Sequence, residues 1–226
     1  MDSWCYVLLG GTGALLFLYA LFEVHYFLRM CLCVINARFI KRNAGILDTL
    51  QVTGICLSND VDNLLYHMNN SRYLREIDFA RVDFYERTQL YKTIVSKGGS
   101  VVQGATTIRY RRFIRPFTLF KITSNIIYWD DQFIYMEHRF VSPVDGFIHC
   151  IAICRQRVIG VVADEIINLL LLTQDSSVIK SGLSKVENGD LVRGKPELSL
   201  EVAKWIEYND ISSNKLRKDM AVVNLR

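Results

Sequence analysis

Asp60-Val-Asp-Asn-Leu-Leu-Tyr-His-Met-Asn-Asn-Ser-Arg-Tyr-Leu74 leads into a helical run that reaches Leu90. Tyr73, Ile77, Ala80 and Phe84 recur at spacings of 4, 3 and 4, with Leu74 beside them, which predicts an inward stripe over Ser71–Leu90. Asp83 and Arg87 make an i,i+4 pair on the outer side. Upstream, Leu50–Ser58 is short and β-branched and reads as a strand; downstream, Lys97-Gly-Gly99 is a turn. Four strand-like runs follow: Val101–Arg112, Thr118–Trp129, Phe133–Ser142 and Phe147–Val158. Asp130-Asp131 and Pro143-Val-Asp-Gly146 are hairpin turns. The third run alternates cleanly, and the last is apolar on both sides, as a covered central strand is. One strand, a long helix, then four strands predicts an α+β domain whose five-stranded antiparallel sheet wraps a long central helix. Beyond Gly160, Val161–Leu172 is predicted helical, Thr173–Lys195 a polar loop or linker, and Glu197–Arg217 a terminal helix or helix pair.

Composition narrows the function classes. Of 226 residues, 50% are hydrophobic and 22% charged, which excludes a disordered chain and an all-membrane protein. A net charge of +4 suits an anionic surface or a phosphorylated ligand and does not suggest nucleic acid. Cysteines at 5, 31, 33, 56, 150 and 154 form no disulfide framework and fit a reducing compartment. His149 with Cys150 and Cys154 lacks metal-ligand spacing, and no metal or redox cofactor is expected.

The N-terminus predicts a membrane segment. Trp4–Phe22 carries no charge and is apolar all round, and its 19 residues span roughly 28 Å as a helix. A second apolar piece, Tyr26–Ile35, is broken by Arg29. Without a basic region before it or a small-x-small cleavage site after it, a retained anchor is expected over a removable signal peptide. Arg29, Arg38, Lys41 and Arg42 downstream place the C-terminal part in the cytosol. The sequon Asn69-Asn-Ser71, set where a glycan would be ruinous, agrees. Three regions follow: residues 1–35 as anchor, 46–160 as the α+β domain, and 161–226 as a helical extension.

The chemistry gathers before the central helix. A helix start offers free N–H groups and the positive end of a dipole, which can hold an oxyanion. Asp62 beside it can serve as nucleophile or as base for a water, with His67, Asn69 and Asn70 close in sequence. Asx and Ser residues also cap helices, and capping alone accounts for such clusters. Arg109, Arg111 and Arg112, with Arg115, flank Tyr110 and Phe113 and suit phosphate contacts; the other reading is a solvated edge strand whose charges oppose aggregation.

Asp60-x-Asp62, His67-Met-Asn-Asn70 with Tyr73-Leu74, and Asp78-Phe-Ala-Arg81 resemble the hotdog-fold acyl thioesterases. Tyr128-Trp-Asp-Asp131 and Arg139-Phe-Val-Ser142 strengthen the likeness, which runs from Leu50 to Gly160 and extends to Pro196–Leu198 and Trp205–Asn209. It is closest to the thioesterase superfamily member six type, a membrane-associated branch. The resemblance implies the hotdog fold, an acyl-CoA or other acyl thioester as substrate, and a homodimer. It also implies Asp62 and His67 as catalytic residues and Asn69 and Asn70 as substrate-binding amides. One departure stands out. Acyl-carrier-protein thioesterases have Asp-x-Asn-x-His, whereas Asn63-Leu-Leu-Tyr66 separates Asp62 from His67 here. Two functions are therefore expected: a membrane-anchored acyl-CoA thioesterase, single-pass at the endoplasmic reticulum and facing the cytosol, or a catalytically weak or inactive module that binds acyl lipids or scaffolds partners. Leu64, Leu65 and Tyr66 discriminate, because filling an acyl tunnel with them would favour the second.

Overall fold

The computed structural model describes residues 3–21, 24–180 and 194–223. Two N-terminal helices, α1 (Ser3–Leu21) and α2 (Val24–Ile35), lead through a π-helical turn, Asn36–Ile40, to β1 (Leu50–Ile55). The central helix α3 (Asn70–Thr88) follows, then α4 (Leu90–Ser96), β2 (Ser100–Tyr110), β3 (Leu119–Trp129), β4 (Phe133–Val141) and β5 (Ile148–Ile159). Helices α5 (Ala163–Lys180) and α6 (Leu200–Val223) complete the chain. The polar stretch expected as a linker is helical at its start, as the end of α5, and most of the rest lies outside the described residues, as do Phe22 and Glu23.

The five strands form one antiparallel sheet in the order β1-β3-β4-β5-β2, so the expected α+β layout is the one observed. Period-2 burial explains it. Ile134, Met136, His138 and Phe140 on β4, and Cys150, Ala152 and Cys154 on β5, face α3 and are fully buried. From α3, Tyr73, Ile77, Ala80 and Phe84 meet them as the periodicity predicts, whereas Leu74 is 39% exposed and does not join the stripe. Where α3 passes β1 the approach is close enough to demand glycine. A Cβ at Gly54 would stand 2.5 Å from the Phe120 ring and 3.2 Å from the Glu76 carboxylate. Gln89 ends the helix in the left-handed conformation (φ 61°) and starts α4. The far face of the sheet is covered in part by α6: Val202 is buried with Tyr135 and Ile153, and Trp205 packs edge-on to Tyr135. That cover explains why Tyr135, on the outward register of β4, is buried.

The second face of α3 is also covered, by the N-terminal segment. Arg29 forms a two-pronged ion pair with Glu76, Lys41 binds Asp83, and Arg38 binds Glu86. Tyr26 packs on Phe79 and the Cys33 thiol bonds its carbonyl. Asp83, expected on an outer face, is only 1% exposed and pairs with Lys41 as well as Arg87. The break that Arg29 makes in the apolar run is thus a docking contact. Burial pushes the Glu76 carboxyl up, and the Arg29 guanidinium opposes that shift. Removing one partner of a fully buried pair costs about 3 kcal/mol or more, and the partial exposure of Arg29 brings the cost below that figure here. We expect Arg29→Met to destabilise the protein by about 2–3 kcal/mol in chemical denaturation. Adding Glu76→Gln should recover part of the loss, and strictly additive losses would contradict the pairing.

Among the described residues, no single helix is long and apolar enough to cross a membrane, although Trp4–Tyr19 and Val24–Ile40 reach that length and composition as a pair bent by 71°. From Trp4 to Tyr19 the side chains of α1 are exposed, Trp4 at 77% and Leu9 at 78% among them. All six cysteines are free thiols.

Candidate active site

Between β1 and α3 the chain makes a short 3₁₀ turn, Ser58–Asp60, and then a loop closed by a bridge between Val61 and Met68. The two acidic residues of Asp60-x-Asp62 part ways here. Asp60 is buried, its carboxylate accepts from the Leu57 N–H at 3.0 Å, and its carbonyl accepts from the Asn69 N–H, so it builds the loop. Asp62 faces outward, with its side chain 21% exposed. Its Oδ1 accepts the Tyr66 N–H at 3.0 Å and the His67 N–H at 3.4 Å, while its backbone N–H and C=O bind His67 and Leu65. The bond from the Tyr66 N–H, ahead of the others, holds the carboxyl below its ordinary value, so Asp62 is ionised at neutral pH. Oδ2 lies 4.0 Å from His67 Nε2, beyond hydrogen-bond length.

His67 is fixed on both sides. Its Nδ1 donates to the Met68 carbonyl at 2.9 Å, which leaves Nε2 as the side turned toward Asp62. The ring lies flat on Phe113, with centroids 4.3 Å apart and planes 9° apart, and Tyr66 stands edge-on to both. Phe113 comes from the loop after β2, which is tied to the site by a Met68 N–H bond to the Ile114 carbonyl. Leu65 takes φ 54°, a strained conformation for a leucine, to turn the loop. Leu64, Leu65 and Tyr66 are 84%, 70% and 55% exposed, so in this chain they fill no tunnel.

The remaining expected residues divide. Asn69 is the N-cap of α3: its Oδ1 accepts both the Ser71 N–H and the Ser71 hydroxyl, so the capping role holds for that oxygen. Asn70 is the first helical residue and is exposed; its carbonyl accepts from Tyr110. Arg112 is committed elsewhere, gripping Asp145 through both terminal nitrogens and stacking over Phe147 at 4.0 Å. Arg111 also lies over Phe147, and Arg109 is an exposed residue on β2, the last strand of the sheet. None of the three arginines lines the open polar groove of about 520 Å³ beside the Asp62 loop. That groove is walled by Asn59, Val61, Asn63, Asn69, Ser71, Arg72 and Arg75. Arg72 is a residue that the sequence alone did not single out, and Phe113 stands out there only beside the arginines, not as a partner of His67. Arg72 could have been found from its place in the first turn of a predicted helix. Phe113 lies 46 positions from His67, and no local pattern connects the two.

The arrangement can present an ionised carboxylate oxygen, held in place by backbone amides, next to an imidazole and the start of a long helix. Comparison with known proteins adds to this geometry. A sequence profile described as the thioesterase-like superfamily matches residues 56–205. The protein called THEM6 in Drosophila melanogaster is 38% identical over 205 residues, covering 91% of this chain and 96% of its own length. The protein of that name in Xenopus laevis is 39% identical over 214 residues, covering 95% and 94%. Among solved structures, YbaW, a probable thioesterase of Escherichia coli, superimposes with a TM-score of 0.51 at 20% identity, covering 54% of this chain and 96% of that one.

Proposed function

The chain belongs to the thioesterase-like superfamily, and from that premise we propose that it hydrolyses fatty acyl thioesters, acyl-CoA above all. The observation that carries this reading is an ionised Asp62, held by backbone amides and turned with Oδ2 toward His67 Nε2, on a loop whose bulky residues point outward. The ionised carboxylate can act as nucleophile or as base for a water, and we propose the nucleophilic route. Oδ2 adds to the thioester carbonyl, the C–S bond breaks, and the thiolate leaves. Water then cleaves the mixed anhydride, releasing the fatty acid and restoring the carboxylate. The oxyanion is received at the start of α3 by the Asn70 N–H, where the helix dipole is positive, because Asn69 already takes the Ser71 and Arg72 N–H groups. In the polar groove Arg72 is placed to meet a phosphate of the carrier, a role that Asp145 denies to Arg112.

The assembly we propose is a homodimer joined along β2, whose outer edge has no neighbouring strand among the described residues. We place α1 in the bilayer of the endoplasmic reticulum as a single anchor, with the domain facing the cytosol. Two experiments test these readings. The purified full chain in detergent, offered a panel of acyl-CoAs of increasing length, should release free thiol. Binding of acyl-CoA without any release would favour the non-catalytic module instead. Translated into microsomes, the chain should leave Asn69 unmodified; a mass increase removed by endoglycosidase would reverse the orientation.

A further inference from the structure

Only one face of α2 is engaged by the domain. Tyr26, Arg29 and Cys33, continued by the buried Ala37, turn toward α3. On the opposite side Phe27, Leu28, Leu32 and Ile35 form a stripe that the π turn extends with Phe39 and Ile40. These six side chains are between 49% and 77% exposed. No charge interrupts them, because Arg29, Arg38 and Lys41 all find their counter-ions on α3.

We propose that this outer stripe lies in the interfacial layer of a lipid bilayer, with α2 in the membrane plane and the domain carried on its inner face. The proposal rests on the reading of α1 as the anchor. Continuity argues for lipid as the occupant. Only two residues separate α1, apolar and exposed from Trp4 to Tyr19, from α2, and the two helical stretches meet at 71°. If α1 stands near the membrane normal, α2 must run nearly parallel to the surface, at the depth where the chain emerges. A helix with one long apolar face and its charges on the other is the type that settles in that layer. The placement bears on the substrate as well. Arg75 stacks on Tyr26 at 4.3 Å and lines the polar groove, so the groove lies at the end of α2 nearest α1. An acyl thioester resting with its chain in the lipid and its carrier in water would meet the site at that end.

The test uses the full chain in phosphatidylcholine vesicles containing a phospholipid with a diazirine near the glycerol end of one acyl chain. After irradiation, mass spectrometry should find lipid adducts on α1 and on Phe27, Leu28, Leu32 and Phe39, and none on Tyr26, Cys33 or Lys92. Phe27→Glu combined with Leu32→Glu changes only exposed side chains and so leaves the fold intact. It should reduce adducts in residues 24–40 severalfold while those on α1 persist. Adducts confined to α1 would overturn the in-plane placement and leave the anchor standing. Adducts on neither helix would overturn both.

Discussion

Asp62→Asn should lower kcat for acyl-CoA hydrolysis by roughly 10²–10⁴, the usual share of a nucleophile or general base, with acyl-CoA binding retained. The substitution keeps the shape of the side chain and an oxygen able to accept the Tyr66 and His67 N–H groups, so the loop survives. What disappears is the negative charge on the atom facing the thioester. His67→Ala should cost less. That ring is held by the Met68 carbonyl and the Phe113 face, 4.0 Å from the carboxylate, so it shapes the loop and makes no hydrogen bond to Asp62. A rise in KM larger than the fall in kcat would mark that positioning role. Equal turnover by wild type and Asp62→Asn would show that the reaction is carried by other residues.

A second large effect belongs to the core, away from the site. His138 is fully buried on β4; its Nδ1 is 2.8 Å from the Ser124 hydroxyl, and Nε2 has no partner among the described residues. Burial, aided by the positive charge of Arg81, lowers its pKa from 6.5 to about 3. The sign follows directly. The unfolded chain takes up a proton below about pH 6.5, and the folded protein resists until about pH 3. Stability from this residue is therefore complete above about pH 6.5 and is lost as the pH falls toward about 3. A gap of about 3.5 pH units makes the ceiling of the loss about 5 kcal/mol. His138→Gln keeps a hydrogen-bonding partner for Ser124 and cannot charge. Its denaturation midpoints should decline less steeply with acid than those of wild type between about pH 6 and 4. Parallel curves for the two proteins would refute the assignment.

Much of the architecture was legible because each periodic signal had one dominant cause. The 4-3-4 spacing of Tyr73, Ile77, Ala80 and Phe84 reports burial on a single face, and the alternation in Phe133–Ser142 does the same for a strand. What escaped depended on partners distant in sequence. Arg29 read as an interruption because its reason for being there, Glu76, lies 47 residues on. Asp83 read as an outer residue for the same cause, and Leu74 read as inner because it adjoins the stripe without facing the sheet. At the site, Asp62 and His67 are brought together by a local loop, which sequence spacing can suggest. The stack of His67 on Phe113 and the capture of Arg112 by Asp145 join different connections of the fold, and nothing in either segment announces them. Asn69 was ambiguous from the outset, since an amide before a helix serves a ligand or a cap with the same atoms.

The row of ion pairs along α3 also bears on how the gene can be divided. A recombinant fragment beginning at Ile46 looks natural, because it starts just before the first strand and leaves every strand intact. It would discard Arg29, Arg38 and Lys41 while keeping Glu76, Asp83 and Glu86, stranding carboxylates that were built to be neutralised from upstream. A start at Val24 keeps those cations with their acids and sheds only α1. For expression, fusion or domain exchange, residues 24–42 travel with the α+β domain, and the seam between portable parts falls after α1.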